Sequence, residues 1–168
     1  MGTSRSSPRL TPMSVLLRSF LPLLLMAFAT TCFAAIGISS TGDYSLSITA
    51  ANLVSGAGSD LQSSQESASG VTTITISGAG SSSWTVKVRR GTGTWNNNVT
   101  LFVQRTSSGS GSGTVTGGTS YISVGAIDTT FFTGSGNKSG ISLQFKLVGF
   151  SKSIPPGTYS APVTFSIL

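Results

Sequence analysis

Residues 154–168 constrain the fold more strongly than any other part of the chain. Their sequence is IPPGTYSAPVTFSIL, so a proline and glycine turn leads into a run in which apolar and small polar side chains alternate. Successive side chains of a β-strand point to opposite faces of a sheet, and the alternation therefore predicts a strand with one buried face. The apolar face holds Tyr159, Ala161, Val163, Phe165 and Ile167. We expect the chain to end within its own sheet, as is normal in a two-sheet β-sandwich.

Residues 1–34 have the parts of a secretory signal peptide. The leader carries three arginines, Arg5, Arg9 and Arg18. A short apolar core (FLPLLLMAFA) follows, and Cys32 and Ala34 are the small residues that a signal peptidase recognises. We expect cleavage after Ala34 and export of residues 35–168 as one domain to the periplasm, the cell surface or the extracellular space.

The apolar core of this leader is too short for a membrane anchor. It is about half the ~20 residues that a membrane-spanning helix needs, and Thr30 and Thr31 end it, so no transmembrane segment is expected after signal removal. Cys32 would be the acylated residue of a lipoprotein, but Thr31 before it is larger than the small residue such sites carry. Translation from Met1 or from Met13 leaves the same mature chain.

The expected mature chain is weakly charged and lacks cysteine. It has seven lysines and arginines and four acidic residues, which gives a net charge of +3. The single cysteine of the sequence lies in the leader. No disulfide is therefore expected, and the domain must depend on its apolar core, on partners or on assembly. A balance of +3 also argues against nucleic acid as a partner.

Composition and patterning predict an all-β domain. Ser, Thr, Gly and β-branched residues dominate, and no segment of the mature chain keeps the apolar period of a helix. The segments with strand patterns are residues 44–50, 71–76, 83–90, 98–105, 121–124, 141–147 and 159–167. We predict an immunoglobulin-like antiparallel β-sandwich of about seven strands with Greek-key connections. A closed barrel is the alternative, and the unequal loops and the central Trp84 favour the sandwich.

Two pairs of neighbouring segments are expected to form hairpins. A Gly-Ala-Gly turn at residues 78–80 joins segment 71–76 to segment 83–90. Residues 149–157 connect the last two strands closely enough for the same arrangement.

Three stretches are interpreted as connections with little structure of their own. Residues 53–70 are polar and unpatterned, and residues 106–119 are a low-complexity run of Ser and Gly that is typical of a flexible hairpin tip. Residues 128–137 are interpreted as a turn region that carries two adjacent aromatic side chains.

The residue inventory argues against an enzyme. The sequence has no histidine, and its four carboxylates are scattered at Asp43, Asp60, Glu66 and Asp128. This excludes Ser-His-Asp and Cys-His catalysis in the mature chain, and it removes the His and Cys ligands of a zinc site. Paired-carboxylate hydrolysis needs two acids on neighbouring strand ends, and the single close couple lies in a Ser-rich loop. We expect no catalytic residue, no metal and no cofactor.

Two sets of side chains are candidates for binding a surface polysaccharide. The basic residues of the predicted strands are Lys87, Arg89, Arg90, Arg105 and Lys146. We expect these on exposed strand faces or ends, where they are solubilising charges or, alternatively, contacts to an acidic glycan. Trp95, Phe131 and Phe132 lie beside predicted turns and are candidate sugar-stacking residues, although such aromatics also cap sandwich cores.

Three features occur together in this sequence. A signal peptide precedes an alternating segment around Tyr44, Leu46 and Ile48, and a Gly157-Thr158-Tyr159 turn leads into a strand to the C-terminus. This arrangement resembles the subunits of chaperone-usher fimbriae and the related spore-coat-protein-U type of secreted domain, in which a Gly-x-Tyr turn similarly precedes the last strand. Those families commonly carry a disulfide, which the mature chain here does not.

The resemblance implies a sandwich that lacks one strand and is completed by the N-terminal strand of the next subunit. The donor would lie within residues 35–50 and carry Tyr44, Leu46 and Ile48. The acceptor groove would be lined by Tyr159, Val163, Phe165 and Ile167. The alternative is that residues 43–50 pair within their own domain.

The function expected from these features is that of an exported, non-catalytic structural protein of the cell surface or periplasm. A fimbrial or pilus-type subunit would have copies of itself or a periplasmic chaperone as partners. The alternative is a self-contained secreted carbohydrate-binding module with a surface polysaccharide as its partner.

Overall fold

A computed structural model describes residues 35–168 as a two-sheet antiparallel β-sandwich. The predicted signal peptide, residues 1–34, lies outside the described residues. The strands are, in chain order, β1 (Gly37–Thr41), β2 (Ser64–Glu66), β3 (Thr72–Ser77), β4 (Ser83–Arg90), β5 (Thr100–Arg105), β6 (Val115–Thr116), β7 (Ile122–Ser123), β8 (Thr129–Ser135), β9 (Lys138–Val148) and β10 (Val163–Ile167). The predicted all-β sandwich is confirmed.

The first sheet has the strand order β1-β3-β9-β5-β7, and β2 extends the β3 side of the long strand β9. The second sheet has the order β10-β4-β8-β6. All strand pairs are antiparallel. In these orders β1 and β7 are the edge strands of the first sheet, and β10 and β6 are those of the second.

The core lies between the sheets and is formed by the inward faces of the alternating strands. Strand β4 buries Trp84, Val86 and Val88, and β3, β5 and β9 contribute further Ile, Leu, Val and Phe side chains. The indole N–H of Trp84 donates a 2.8 Å hydrogen bond to the Gly136 carbonyl, which satisfies the buried polar atom of this ring. The central position predicted for Trp84 is confirmed.

The predicted first strand is wrong in its position. The strand is β1 (Gly37–Thr41), which pairs with β3, whereas residues 42–49 form no ladder and lead into a single 3₁₀ turn, Ala50–Asn52. The C-terminal strand is also shorter than predicted, because β10 begins at Val163 and residues 159–162 lie outside it. Only Tyr44, Leu46 and Ala161 of the alternating apolar side chains in these segments are partly buried, so the alternation does not require a hydrogen-bonded neighbour.

Both predicted hairpins are wrong. Strands β3 and β4 belong to different sheets, as do β9 and β10. At the first connection Gly78 and Gly80 have positive φ values of 72° and 56°, and Ala79 between them is buried. A short turn of this kind can return a strand beside its neighbour or carry it across to the other sheet. Only the burial of both strands against the common core selects the crossing.

The stretches interpreted as loops contain strands. Residues 53–70 include β2, which pairs with β9, and residues 106–119 include β6, which pairs with β8. Ser110 and Ser139 also exchange main-chain hydrogen bonds of 2.8 and 2.9 Å, so the low-complexity run follows β9 closely and is not a free hairpin tip. Residues 128–137 contain strand β8 rather than a turn region.

Candidate functional site

The outer edge of β10 offers unpaired main-chain groups. Leu168 exchanges both main-chain hydrogen bonds with Thr85 of β4, at 3.0 and 2.9 Å. Hydrogen-bonded positions recur at every second residue of an antiparallel ladder, so the N–H and C=O groups of Val163, Phe165 and Ile167 point away from β4. No other strand of residues 35–168 pairs with this edge.

The same three residues of β10 turn their side chains toward the core. Val163, Phe165 and Ile167 are each partly buried and pack against core residues. The Phe165 ring stacks at 6.4 Å between centroids on Phe131. The edge therefore combines free main-chain groups with an incompletely covered apolar row, the two features that strand addition requires.

Strand β1 lies beside this edge without bonding to it. Cα atoms of β1 and β10 approach within 8 Å, yet the two strands belong to different sheets. Ile36 and Ile38 at this side of the sandwich are partly buried against the core. The β1 and β10 edges thus flank one side of the sandwich where the core is only partly covered.

Residues 43–48 carry the predicted donor side chains in an extended segment that is not part of a sheet. Their main-chain groups make no hydrogen bond to any described residue. Tyr44 and Leu46 are partly buried, and Ile48 is 45% exposed. The structure therefore does not place Tyr44, Leu46 and Ile48 in a strand of their own domain.

The attachment of Tyr44 to its own domain is imperfect. Its ring lies parallel to that of Phe145, with 6.1 Å between centroids, but its hydroxyl is buried without a hydrogen-bond partner among residues 35–168. Burial raises the pKa of this hydroxyl, and the Glu66 carboxylate raises it further. A buried hydroxyl without a partner destabilises by about 1–3 kcal/mol. Release of Tyr44 into water would lose its packing energy, but hydration of the hydroxyl would offset part of that loss.

A second tyrosine has the same environment. The Tyr121 hydroxyl is also buried without a partner, and burial first, then Glu66, raises its pKa. The Lys146 ammonium lies 4.1 Å from the Tyr121 ring centroid and 3.9 Å from a Glu66 carboxylate oxygen. Lys146 is therefore engaged in a local cluster rather than free on the strand face.

Tyr159 lies outside the strand that carries the rest of the predicted acceptor row. It lies before β10, is 37% exposed, and donates its hydroxyl to the Pro155 carbonyl at 2.7 Å. This contact closes the turn that precedes the last strand. The acceptor role of Tyr159 stays a prediction, and its hydroxyl is engaged in the turn that precedes β10.

The three aromatic residues proposed for sugar stacking are not equivalent. Phe131 and Phe132 are buried in the core, with only 5% and 2% of their surface exposed, and cannot form a surface platform. Trp95 is partly buried beside the core and lines a cleft of about 260 Å³. Of the predicted glycan contacts, only Trp95 borders open space.

Sequence reasoning placed Arg105 among the exposed charges, and the structure buries it. Its guanidinium donates to the carbonyls of Gly117 and Ser107 at 3.0 Å and to the Ser108 hydroxyl at 2.9 Å. Burial lowers its pKa. Strand parity is the signal that could have predicted this, because Arg105 shares its face with the buried Leu101 and Val103.

A second buried cation, Lys138, holds the same low-complexity run. Its ammonium donates to the Gly111 carbonyl at 3.2 Å, and the residue is buried at the start of β9. The main-chain carbonyls of Ser107, Gly111 and Gly117 thus accept hydrogen bonds from two buried cations, neither of which forms an ion pair within residues 35–168. This arrangement explains why a Ser and Gly run is ordered here.

Within residues 35–168, no three His, Cys, Asp or Glu side chains come together in a group able to hold a metal ion. That part of the chain also has no helix with the length and apolarity to cross a membrane. Comparison of the chain with protein-family models, with curated proteins and with solved structures finds no significant match.

Proposed function

We propose that this protein is an exported, non-catalytic structural subunit of the cell surface, which assembles by strand addition at the free edge of β10. The single observation that carries the proposal is that Val163, Phe165 and Ile167 present unpaired main-chain groups and a partly covered apolar row on the same edge. Affinity would come from the main-chain ladder and specificity from alternate side chains.

The strand order supports an acceptor that lacks one strand. Immunoglobulin-type sandwiches have sheets of order A-B-E-D and C-F-G. Here β1-β3-β9-β5 corresponds to A-B-E-D and β4-β10 to C-F, with the chain order of A to F preserved. Strands β8 and β6 extend the second sheet on the far side of β4, and residues 35–168 supply no strand at the position of G. The added strand would take that position beside β10.

The proposed occupant is the segment of residues 43–48 from a second copy. Its main-chain groups are free, and Tyr44, Leu46 and Ile48 share one side of it. Burying a side chain of this size contributes about 1.5–3 kcal/mol when it comes from full exposure, so Ile48 gains most and the partly buried Tyr44 and Leu46 gain less. A new ladder on β10 would supply the remainder.

Strand β1 must move away from β10 before a strand can be added at the β10 edge. Two strands that flank a third lie about 10 Å apart, because neighbouring strands are about 4.8 Å apart. Cα atoms of β1 and β10 approach within 8 Å, so the edges have to separate to admit a strand between them. The proposal therefore requires a local movement of β1 on assembly, and this movement is measurable.

Proline substitution tests the acceptor edge. Val163→Pro removes an N–H that points away from β4, so we expect the mature protein to keep its fold and to lose assembly. Thr164→Pro is the matched control, since it removes an N–H that faces β4 and should lower the melting temperature. Light scattering of the exported species, expected to begin at Ala35, measures assembly. A stable monomer of the wild-type protein at high concentration would refute the proposal.

Charge insertion tests the donor segment. Ile48→Asp places a carboxylate on the apolar side of the donor and is expected to abolish assembly. Val54→Asp is the control, because Val54 is 66% exposed and lies outside the segment. Neither substitution should change the free energy of unfolding of the monomer by more than about 0.5 kcal/mol. Equal assembly of both variants would exclude residues 43–48 as the donor.

A further inference from the structure

The cleft beside Trp95 is formed by the end of β4, the connection that follows it, strand β5 and residues 123–125. Its volume is about 260 Å³. The lining side chains and backbone that could contact a ligand belong to Arg90, Trp95, Asn97, Thr100, Ser123 and Gly125. A cleft of this size is slightly below the 300 Å³ at which drug-sized pockets begin, so it has room for a small group such as one sugar ring.

Arg90 brings an unmatched positive charge to this cleft. Its guanidinium carbon lies 4.8 Å from the Trp95 ring centroid, and the side chain makes no hydrogen bond or ion pair with any residue of 35–168. The neighbouring Arg89 lies 3.6 Å from Asp128, and Arg105 is surrounded by carbonyls. Arg90 is therefore positioned by the aromatic ring while its donors stay free for an anion.

The aromatic wall is held rigidly. The Trp95 indole N–H donates to the Val99 carbonyl at 2.8 Å, which fixes the ring orientation. The loop that carries it is fastened from the other side, because Ser160 N–H donates to the Thr94 carbonyl at 2.7 Å. Gly93 permits this close approach, since a Cβ there would lie 2.2 Å from the Ser160 carbonyl oxygen. A preorganised ring and cation lower the entropic cost of binding.

The polar side chains at the rim of the cleft are also free to bind a ligand. The side chains of Asn97, Thr100 and Ser123 make no hydrogen bond within the described part of the chain. Hydroxyl and amide groups both donate and accept, as sugar hydroxyls require. A larger depression of about 420 Å³ against β4 and β8 is lined by Ser and Thr but has no charged side chain, so it provides no comparable anchor.

From these contacts we propose that the Trp95 cleft binds a carboxylate-bearing sugar residue of an acidic polysaccharide. The planar Arg90 fork matches a carboxylate in two parallel hydrogen bonds, and a single cation matches a monoanion better than the dianion of a phosphate monoester. Arg90, held over the Trp95 ring, would bind the carboxylate, and the polar rim of the cleft would bond the hydroxyls of the sugar. No residue of β10 lines this cleft, although Arg90 pairs with Val163 across the β4–β10 ladder.

Galacturonate is a suitable probe for the native mature protein. We expect titration with galacturonate to shift the NMR signal of the Trp95 indole N–H and to leave that of Trp84 unchanged, because Trp84 is buried in the core. Galactose lacks the carboxylate, so we expect it to bind with at least about tenfold lower affinity. At equal concentration it should therefore shift the Trp95 signal less than galacturonate does. An unchanged Trp95 signal, or an equal response to inorganic phosphate, would overturn the proposal.

Affinity electrophoresis in polygalacturonate provides the second test. Arg90→Gln is expected to weaken binding to the polysaccharide, measured by retardation, by about tenfold or more. Arg89→Gln removes the same charge from a side chain that is paired with Asp128 and half exposed, and it should leave the retardation unchanged. Methyl-esterified polygalacturonate should not retard the wild-type protein. Equal losses for the two arginine variants would show binding by net charge alone and refute a defined cleft. If Arg90→Gln fails to fold, the Trp95 titration of the wild-type protein decides.

Discussion

Removal of the Arg105 side chain is expected to destabilise the domain strongly. The guanidinium makes three hydrogen bonds of 2.9–3.0 Å to the low-complexity run, and the residue is only 7% exposed. Hydrogen bonds to a charged group contribute about 1.5–3 kcal/mol each before the cost of burying the charge is subtracted. That burial cost is substantial here, because desolvation lowers the Arg105 pKa. We therefore expect Arg105→Ala to lower the free energy of unfolding by about 2–4 kcal/mol in total.

Thermal melting and hydrogen exchange measure this effect. For a domain of this size the expected loss corresponds to roughly 10 °C in melting temperature. The Ser110 and Ser139 amides, which bond to each other's carbonyls, should lose protection from exchange. Arg89→Ala is the control, since its ion pair with Asp128 is half exposed and such pairs contribute about 0–1 kcal/mol. If Arg105→Ala and Arg89→Ala melt within about 1 °C of each other, the buried guanidinium does not hold the run.

Two further predictions concern packing and pH. Gly134→Ala should destabilise by about 1–3 kcal/mol in chemical denaturation, because its Cβ would lie 2.3 Å from the Trp84 ring, whereas Gly125→Ala meets no atom within 4 Å and should be neutral. The Asp60 carboxylate accepts main-chain hydrogen bonds from Lys152 and Leu61, which lower its pKa. The stabilisation by the Asp60 carboxylate is therefore present above the ordinary carboxylate pKa and is lost as the pH falls through the lowered pKa. In the wild-type protein we expect the Lys152 amide to lose protection from hydrogen exchange over that range. Asp60→Asn should remove this pH dependence.

Strands with a strict period of two were predictable because the signal is local. In β4, Trp84, Val86 and Val88 alternate with polar residues and are all buried. In β9, Leu143 and Phe145 follow the same rule. These segments needed no knowledge of their partners, since one apolar face is sufficient to place a strand against a core.

Strand β8 was missed because a β-bulge breaks this period. Its pairing with β4 moves from Val86 opposite Phe132 to Lys87 opposite Thr130, which leaves Phe131 as the extra residue. Both adjacent phenylalanines are then buried, a pattern that contradicts simple alternation. A bulge depends on the partner strand, so adjacent apolar residues in the sequence do not indicate it.

The sequence by itself determined that this chain forms a β-sandwich, which residues of its regular strands face the core, and that a strand with an apolar face lies at the C-terminus. Only the tertiary structure decided that β3 and β4 lie in different sheets, that β10 keeps a free edge, and that Arg105 is buried among carbonyls while Arg90 is not. The physical reason is that side-chain alternation is a property of one strand. Sheet order, edge exposure and the matching of charges instead depend on residues distant in the chain, which only the packed core brings together.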